Sequence, residues 1–217
     1  MLAGRQVLLF WLQQYQVVRR YGAFKRFLLS WLWLHLSYCF NSPYQHSKRY
    51  QRQIKSRALY VYGDTPLTTL ENIIEKAGIT ANDHIYELGA GSGFTSLWLH
   101  GVKGCKVTAI EQVPLFCWRL QRTAHRFHLE GIEVRCDDYM TTELKQADVI
   151  YLYGSNLDDD TVFKLTLRLA AMPSGTRIIT VSYPLDPDNL LGVFEPVKCF
   201  KGEFEWGAAD IYIQNIR

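Results

Sequence analysis

The sequence predicts an α/β protein with a doubly wound, mostly parallel seven-stranded sheet, an antiparallel C-terminal hairpin and an α-helical N-terminal arm. Three observations predict this fold. From residue 65 onward, short apolar runs alternate with longer amphipathic runs, as β-α units of a parallel sheet do. The last two strand-like runs follow each other too closely for a helix to fit between them. Before residue 58 the chain is instead basic, apolar and rich in Trp.

Charge divides the chain into an arm, residues 1–57, and a larger domain, residues 58–217. The whole chain has 24 Lys and Arg and 21 Asp and Glu. The arm holds ten of the basic residues and none of the acidic ones, which leaves the domain with 14 basic and 21 acidic residues, a net charge of −7. This asymmetry indicates a basic arm that meets an anionic surface.

The arm contains two apolar runs, residues 7–12 and 27–40. The longer run would measure about 21 Å as a helix, whereas a bilayer core is about 30 Å thick. A full membrane span is therefore not predicted. Aromatic residues beside basic ones favour a helical hairpin lying on the cytoplasmic face of a membrane. The residues concerned are Trp11, Trp31, Trp33, Tyr38, Arg19, Arg20, Lys25 and Arg26.

Two other interpretations of the arm stay open. In one of them its helices simply pack on the domain or on a second subunit. RNA binding is the weaker alternative, because the aromatic residues are not interleaved with the charges. The five cysteines are scattered and odd in number. They predict free thiols in a reducing, cytoplasmic compartment, and their spacing predicts no metal site.

In the first half of the domain, three predicted helices alternate with three predicted strands. Thr65 is expected to cap the first helix, Pro66 to open it and Gly78 to end it. The elements that follow are the strand His84–Leu88, a helix at 94–100, the strand Lys106–Ile110, a helix at 113–129 and the strand Ile132–Cys136.

The second half completes the sheet. Two near-continuous apolar runs predict buried parallel strands at Ala147–Tyr153 and Thr176–Tyr183. A helix is expected between them at 159–171, and the acidic run 158–160 favours its N-terminus through the helix dipole. Residues 194–204 and 208–216 should pair as the antiparallel hairpin. Trp206, in the turn between them, is expected either to line a substrate pocket or to cover the sheet edge.

A glycine-rich turn follows the first strand and opens the next helix. It contains Glu87, Gly89, Ala90, Gly91 and Gly93. In an open α/β sheet such a turn lies at the carboxyl ends of the strands, where ligands bind. Acidic residues also end the next two strands: Glu111 is placed to hold the two hydroxyls of a ribose, and Asp137 with Asp138 to meet an adenine amino group.

Charge distinguishes between two nucleotide-type cofactors for this turn. The dinucleotide fingerprint is G-x-G-x-x-G, in which the turn faces a pyrophosphate. Here the spacing is G-x-G-x-G, and Phe94 follows the last glycine. Glu87 precedes the first glycine by two residues and would repel a pyrophosphate, but it would attract the ammonium group of a methionine moiety. The sequence therefore favours S-adenosylmethionine (SAM) over NAD.

These motifs resemble those of the class I, seven-strand SAM-dependent methyltransferases. The resemblance covers residues from about Tyr60 to the C-terminus. It implies a Rossmann-like fold and direct methyl transfer from SAM to a nucleophile. It also implies that a segment before the domain folds over the cofactor, where Tyr62 either closes the pocket or only packs on the first helix. The implied cofactor-binding residues are Tyr62, Thr65, Glu87, Gly89, Ala90, Gly91, Gly93, Glu111, Gln112, Asp137, Asp138 and Tyr153.

The end of the fourth strand is expected to face the acceptor. Enzymes that methylate amino groups of nucleic-acid bases usually carry an Asp/Asn-Pro-Pro-aromatic box there, and this chain has none, which disfavours a nucleic-acid partner. Residues 147–157 are instead similar to membrane-linked protein lysine methyltransferases of the ATP synthase c-subunit type, with Gly154 in place of their proline. The acceptor-side candidates are Tyr153, Ser155 and Asn156.

Alternatives remain at each of these points. Tyr153 would otherwise be a packing residue, and Ser155 and Asn156 would cap the helix that follows. Two alternatives to a lysine methyltransferase also stay open. The chain would be a small-molecule or lipid methyltransferase, or a non-catalytic SAM-binding protein whose arm is an interaction module.

Overall fold

The computed structural model describes residues 15–54, 62–154, 156–186, 188 and 190–217. Residues 15–20 are helical. The helices that follow are α1 (Lys25–Ser37), α2 (Pro43–Ile54), α3 (Leu67–Lys76), α4 (Phe94–Gly101), α5 (Pro114–Arg126) and α6 (Asp159–Leu169). The strands are β1 (His84–Leu88), β2 (Lys106–Glu111), β3 (Ile132–Cys136), β4 (Val149–Leu152), β5 (Arg177–Val181), β6 (Lys198–Phe204) and β7 (Gly207–Asn215). Trp11, the apolar run 7–12 and Ser155 lie outside the described residues.

The seven strands form one sheet in the order β3-β2-β1-β4-β5-β7-β6. Strands β1 to β5 pair in parallel, whereas β7 is antiparallel to both β5 and β6. The predicted sheet and its C-terminal hairpin are thus confirmed. The carboxyl ends of the five parallel strands meet at one edge, which is where an open α/β sheet binds ligands.

Apolar residues cover both faces of the sheet. Along β1, Ile85 packs into the core beneath α1, α3, α4 and α5, while Tyr86 and Leu88 point to the opposite face. There they pack with Leu165 and Leu169 of α6. Because both faces are buried, the parallel strands need the near-continuous apolar runs that predicted them.

The arm packs on the domain. Helix α1 lies against α4 and α5, where its Phe27, Trp31 and Leu34 side chains are buried. The opposite face of α1 exposes Leu29, Leu32 and Leu36 to solvent. Within the described ranges, no helix combines the length and the apolar character needed to cross a bilayer.

Several element ends differ from those predicted, for local reasons. Strand β6 begins at Lys198 rather than at 194, because Pro196 has no N–H for the ladder and Phe194 forms only an isolated bridge with Ile216. Strand β5 ends at Val181, because Ser182 takes a positive φ of 80°. Helix α5 stops at Arg126, two residues before His128, which has a φ of 50°.

Candidate functional site

The glycine-rich turn connects β1 to α4 at the carboxyl edge of the sheet. Gly89, Gly91 and Gly93 have φ angles of 75°, 55° and 89°. The side chain of Glu111, at the end of the neighbouring strand β2, fixes this turn: Gly91 N–H donates to Oε2 and Val113 N–H donates to Oε1, both at 2.7 Å. The two predicted motifs therefore form one connected unit.

A side chain at either of the last two glycines of the turn would crowd neighbouring side chains. A Cβ atom at Gly93 would lie 2.6 Å from the methyl carbons of Leu120, and one at Gly91 would lie 3.2 Å from the Tyr62 ring. Tyr62 is buried against the turn. Its ring lies over the turn and also lines the adjoining cleft.

Glu87 lies buried beneath the turn. Its carboxylate accepts a hydrogen bond from the Ser96 hydroxyl in the first turn of α4. Burial raises the pKa of Glu87 to about 8, and the nearby carboxylates of Asp64 and Glu111 add to this effect. Burial also raises the pKa of Glu111, although backbone N–H groups oppose the shift.

Asp64 is a site residue that sequence reasoning missed. The Tyr62 hydroxyl lies 2.6 Å from each of its carboxylate oxygens, and the Ser92 hydroxyl donates to Oδ1 at 3.1 Å. Burial raises its pKa to about 6. The only sequence signal was an acidic residue just before a helix, which is a common position for an ordinary capping residue.

Three carboxylates, Asp64, Glu87 and Glu111, therefore surround the turn. None of them takes part in the ion pairs that the described residues form. Ionised carboxylates are rarely buried unless they are paired, so this arrangement favours a cationic ligand and disfavours an anionic one.

Asp137 and Asp138 follow β3 at the same edge of the sheet. Asp137 is exposed, and hydrogen bonds from the Thr142 hydroxyl and the Asp138 N–H lower its pKa. Asp138 is half-buried and accepts from the Met140 N–H at 2.8 Å. Because Glu111 and Cys136 are partners in the β2–β3 register, both aspartates lie beside the end of β2, where Gln112 is also half-buried.

A cleft of about 660 Å³ opens beside the turn, over the ends of β1, β4 and β5. Of the predicted residues it brings together Tyr62, Tyr153 and Asn156. Trp206 also lines this cleft and donates its indole N–H to the Tyr153 hydroxyl at 2.7 Å. The other lining residues are Tyr44, Gly63, Leu88, Tyr139, Leu152, Gly154, Leu157, Ser182 and Glu205.

Helix α2 of the arm contacts the cleft and also lies near the ends of β2 and β3. Burial raises the pKa of its Tyr50, and the neighbouring Cys136, Glu111 and Asp138 groups add to this shift. Tyr50 therefore lies near the ends of β2 and β3. Tyr44 of the same helix donates to Glu205 at 2.8 Å, which connects α2 to the β6–β7 turn. The arm thus contributes Tyr44 and Tyr50 to the site. Neither residue was predicted from the sequence.

Two local predictions are corrected here. Thr65 does not cap α3: Pro66 occupies the N-cap position without a side-chain hydrogen bond, and the Thr65 hydroxyl lies 2.5 Å from the Tyr151 hydroxyl on β4. Asn156 does not cap α6, because Asp158 accepts from the Thr161 N–H there. The expected acidic N-terminus of α6 is confirmed.

The fold is similar to those of solved SAM-binding proteins. An RNA methyltransferase from Salinibacter ruber, in complex with S-adenosyl-L-homocysteine, aligns with a TM-score of 0.58 at 20% identity over 70% of this chain and 93% of that chain. A mutant of MtNAS in complex with SAM aligns with a TM-score of 0.56 at 15% identity over 70% of this chain and 62% of that one. The B. subtilis tRNA methyltransferase TrmK aligns with a TM-score of 0.55 at 14% identity over 72% of this chain and 67% of TrmK.

No protein-family model matches the sequence, and no curated protein is significantly similar to it in sequence. The likeness to solved structures establishes the architecture. With its seven strands in this order and its reversed terminal hairpin, the chain has the fold of the class I SAM-dependent methyltransferases.

Proposed function

We propose that this protein transfers a methyl group from SAM to a nucleophile. The observation that carries the proposal is the group of three carboxylates, Asp64, Glu87 and Glu111, around a glycine turn on a methyltransferase fold. SAM bears an ammonium and a sulfonium, so its charge complements this group. A dinucleotide would instead place a pyrophosphate against the same carboxylates, at a cost in electrostatic energy.

The residues present fit SAM. Glu87 and Asp64 favour a positive group near the turn, and each oxygen of the Glu111 carboxylate keeps an acceptor position for a ribose hydroxyl. Asp138, with Gln112 near it at the end of β2, would meet the adenine. When bound, SAM supplies a methyl group already activated for transfer. The protein then needs mainly to align the acceptor with that methyl and to exclude water, which Tyr62 and the adjoining cleft would do.

We also propose that the acceptor is a lysine amine of a protein near a membrane. Tyr153 and Asn156 line the cleft at the end of β4, where they would orient an amine. Ser155 is the third acceptor-side candidate and belongs to the same proposal. The structural neighbours include an RNA methyltransferase and a tRNA methyltransferase. However, this chain lacks the Asp/Asn-Pro-Pro-aromatic box of many base-methylating enzymes, so we favour a protein acceptor over RNA.

The test of both statements is transfer of radiolabelled methyl from SAM to a cell extract, resolved into protein, lipid, RNA and small-molecule fractions. We expect label in protein, and in lysine after hydrolysis, with the wild-type protein but not with Glu87→Gln. Label in RNA, lipid or small molecules would refute the lysine acceptor and keep the methyltransferase activity. Equal labelling by wild type and the variant would refute the role of the carboxylate group.

The membrane surface would meet the outward face of the arm. Exposed Leu29, Leu32 and Leu36 form one apolar face of α1, and Phe40 beyond it is 93% exposed. Arg126 of α5 adds a positive charge beside α1: it lies over the Trp33 ring, with its guanidinium carbon 4.2 Å from the ring centroid. Apolar side chains flanked by arginine and tryptophan fit the head-group region of an anionic bilayer.

Co-sedimentation with phosphatidylserine-containing vesicles tests this surface. Removal of the arm would uncover the core beneath Phe27, so the informative change is the triple variant Leu29→Ser, Leu32→Ser and Leu36→Ser. A matched control is Phe163→Ser with Leu167→Ser, two exposed apolar residues of α6. We expect the triple variant to lose binding and the control to keep it. Equal pelleting of all three proteins would exclude the α1 face.

A further inference from the structure

The acceptor end of the cleft has an ordered aromatic wall. The rings of Tyr153 and Phe204 are stacked 5.4 Å apart at 6°, and those of Phe204 and Trp206 are 5.5 Å apart at 14°. The hydrogen bond from the Trp206 indole to the Tyr153 hydroxyl closes this arrangement. Trp206 nevertheless remains 54% exposed. A large aromatic side chain that lines the cleft is thus held in a fixed orientation while much of its surface stays exposed.

A carboxylate and two further rings lie around the same space. Glu205 precedes Trp206 in the β6–β7 turn, and its Oε2 accepts from the Tyr44 hydroxyl at 2.8 Å. The Tyr44 and Tyr62 rings meet edge to face, with centroids 5.0 Å apart. All of these side chains except Phe204 line the cleft, and its described lining contains no Lys or Arg.

We propose that Trp206, Tyr153, Tyr44 and Glu205 form a recognition site for the alkylammonium group of the methyl acceptor. This inference rests on the proposed methyltransferase function and assigns the recognition of its amine acceptor to these four residues. Aromatic faces attract cations through their quadrupoles, and a carboxylate in the same site adds a charge-assisted interaction. A carboxylate or phosphate acceptor would meet Glu205 with like charge, and a neutral alcohol would gain little from the aromatic faces.

The site also explains why the arm and the terminal hairpin meet at this point. Tyr44 belongs to α2 and Glu205 to the β6–β7 turn, 161 positions apart in the sequence, and their hydrogen bond brings the two around the cleft. Glu205 is exposed. A proton lost by the bound amine before its methylation therefore has a direct route to solvent.

The test uses tetramethylammonium as the probe and the Trp206 indole N–H as the reporter, in 15N-tryptophan-labelled protein without cofactor. The resonance is assigned from its loss in Trp206→Phe. We expect tetramethylammonium to shift this resonance saturably at constant ionic strength, whereas tert-butanol, its neutral counterpart in shape, should not. Glu205→Gln should weaken the binding about tenfold, which corresponds to about 1.4 kcal/mol. Glu203→Gln, on the same hairpin, should leave it unchanged.

Equal shifts with the cation and the alcohol would overturn the proposal, as would equal affinities of wild type and Glu205→Gln. Because the titration contains no cofactor, its result is independent of SAM binding. Failure here with intact SAM binding would refute the amine site alone, whereas failure of SAM binding would refute the methyltransferase assignment alone.

Discussion

Gly91 and Glu111, twenty positions apart in the sequence, are joined by a hydrogen bond of 2.7 Å from the glycine N–H to the carboxylate Oε2. The other carboxylate oxygen accepts from Val113 N–H. One side chain therefore holds the glycine turn against the end of β2. It satisfies two backbone donors that the turn and the α5 N-terminus would otherwise leave unpaired.

Replacement of Glu111 by Gln tests this link. An amide has a single acceptor oxygen, so one of the two N–H groups would face the NH₂ group of the new side chain. We expect Glu111→Gln to lower the free energy of unfolding by about 1–3 kcal/mol, the cost of an unsatisfied buried donor. Urea denaturation measures this, with Glu133→Gln, a change in an exposed ion pair, as the control. Equal stabilities of the two variants would contradict the role given to Glu111.

Gly93 should be intolerant of any side chain. In Gly93→Ala the new Cβ would overlap Leu120 at 2.6 Å, in addition to the strain of a φ of 89°. Gly78→Ala provides the matched control, because Gly78 also has a positive φ, of 63°, but has open space at the Cβ position. We expect Gly93→Ala to cost about 1–3 kcal/mol more than the control because of overpacking. Thermal or urea unfolding measures the difference, and similar losses would show that Leu120 relaxes freely.

The arm should unfold together with the domain. Phe27 of α1 is completely buried and would lie 2.8 Å from a Cβ atom at Gly101 of α4, whereas Leu36 of the same helix is 66% exposed. We expect Phe27→Ala to lower the unfolding free energy by about 3–5 kcal/mol, and Leu36→Ala to change it by less than about 0.5 kcal/mol. Denaturation followed by fluorescence and by circular dichroism should give one shared transition. Equal effects of the two variants would mean that α1 is not part of the core.

Affinity for SAM should rise with pH. Burial raises the pKa of Glu87 to about 8 in the free protein, so its carboxyl is largely protonated at pH 6. A bound cation favours the ionised form, and binding therefore releases a proton below pH 8. Calorimetry from pH 6 to pH 8 should show tighter binding at the higher pH, with proton release that depends on the buffer. Glu87→Gln should remove this trend, and an unchanged trend in the variant would place the titrating group elsewhere.

The same shift sets the pH dependence of stability in the free protein. The folded-state pKa of Glu87, about 8, lies above its ordinary value of 4.5, and that of Asp64, about 6, lies above 3.8. Between the ordinary and the raised values the folded protein binds more protons than the unfolded chain, so the unfolding free energy falls as pH rises. Glu87→Gln should flatten this decline between pH 5 and pH 8. A decline as steep as that of the wild-type protein would contradict the shift.

The parallel sheet, its antiparallel terminal hairpin and the glycine turn were predictable because they depend on local patterns. Apolar runs of buried strands, the glycines of the turn and the acidic residues at strand ends are all visible in a window of a few residues. The site beyond them was less accessible. Thr65 was expected to cap a helix and Asp64 carried no prediction, yet their side chains contact Tyr62, Ser92 and Tyr151.

The contribution of the arm could not be read from composition either. Its basic and aromatic residues favoured a surface role, and one face of α1 is indeed exposed. However, the placement of Tyr44 and Tyr50 around the cleft and the turn depends on contacts with residues far away in the chain, such as Glu205. Long-range contacts of this kind leave no periodic signal in the sequence.

The most direct test of the assignment is calorimetric titration of the purified protein with SAM and, separately, with NAD at pH 8. Binding of SAM at one site per chain, weakened in Glu87→Gln, and no heat with NAD is the predicted result. Binding of NAD, or of any ligand that places a phosphate against the turn between Glu87 and Gly93, would contradict it.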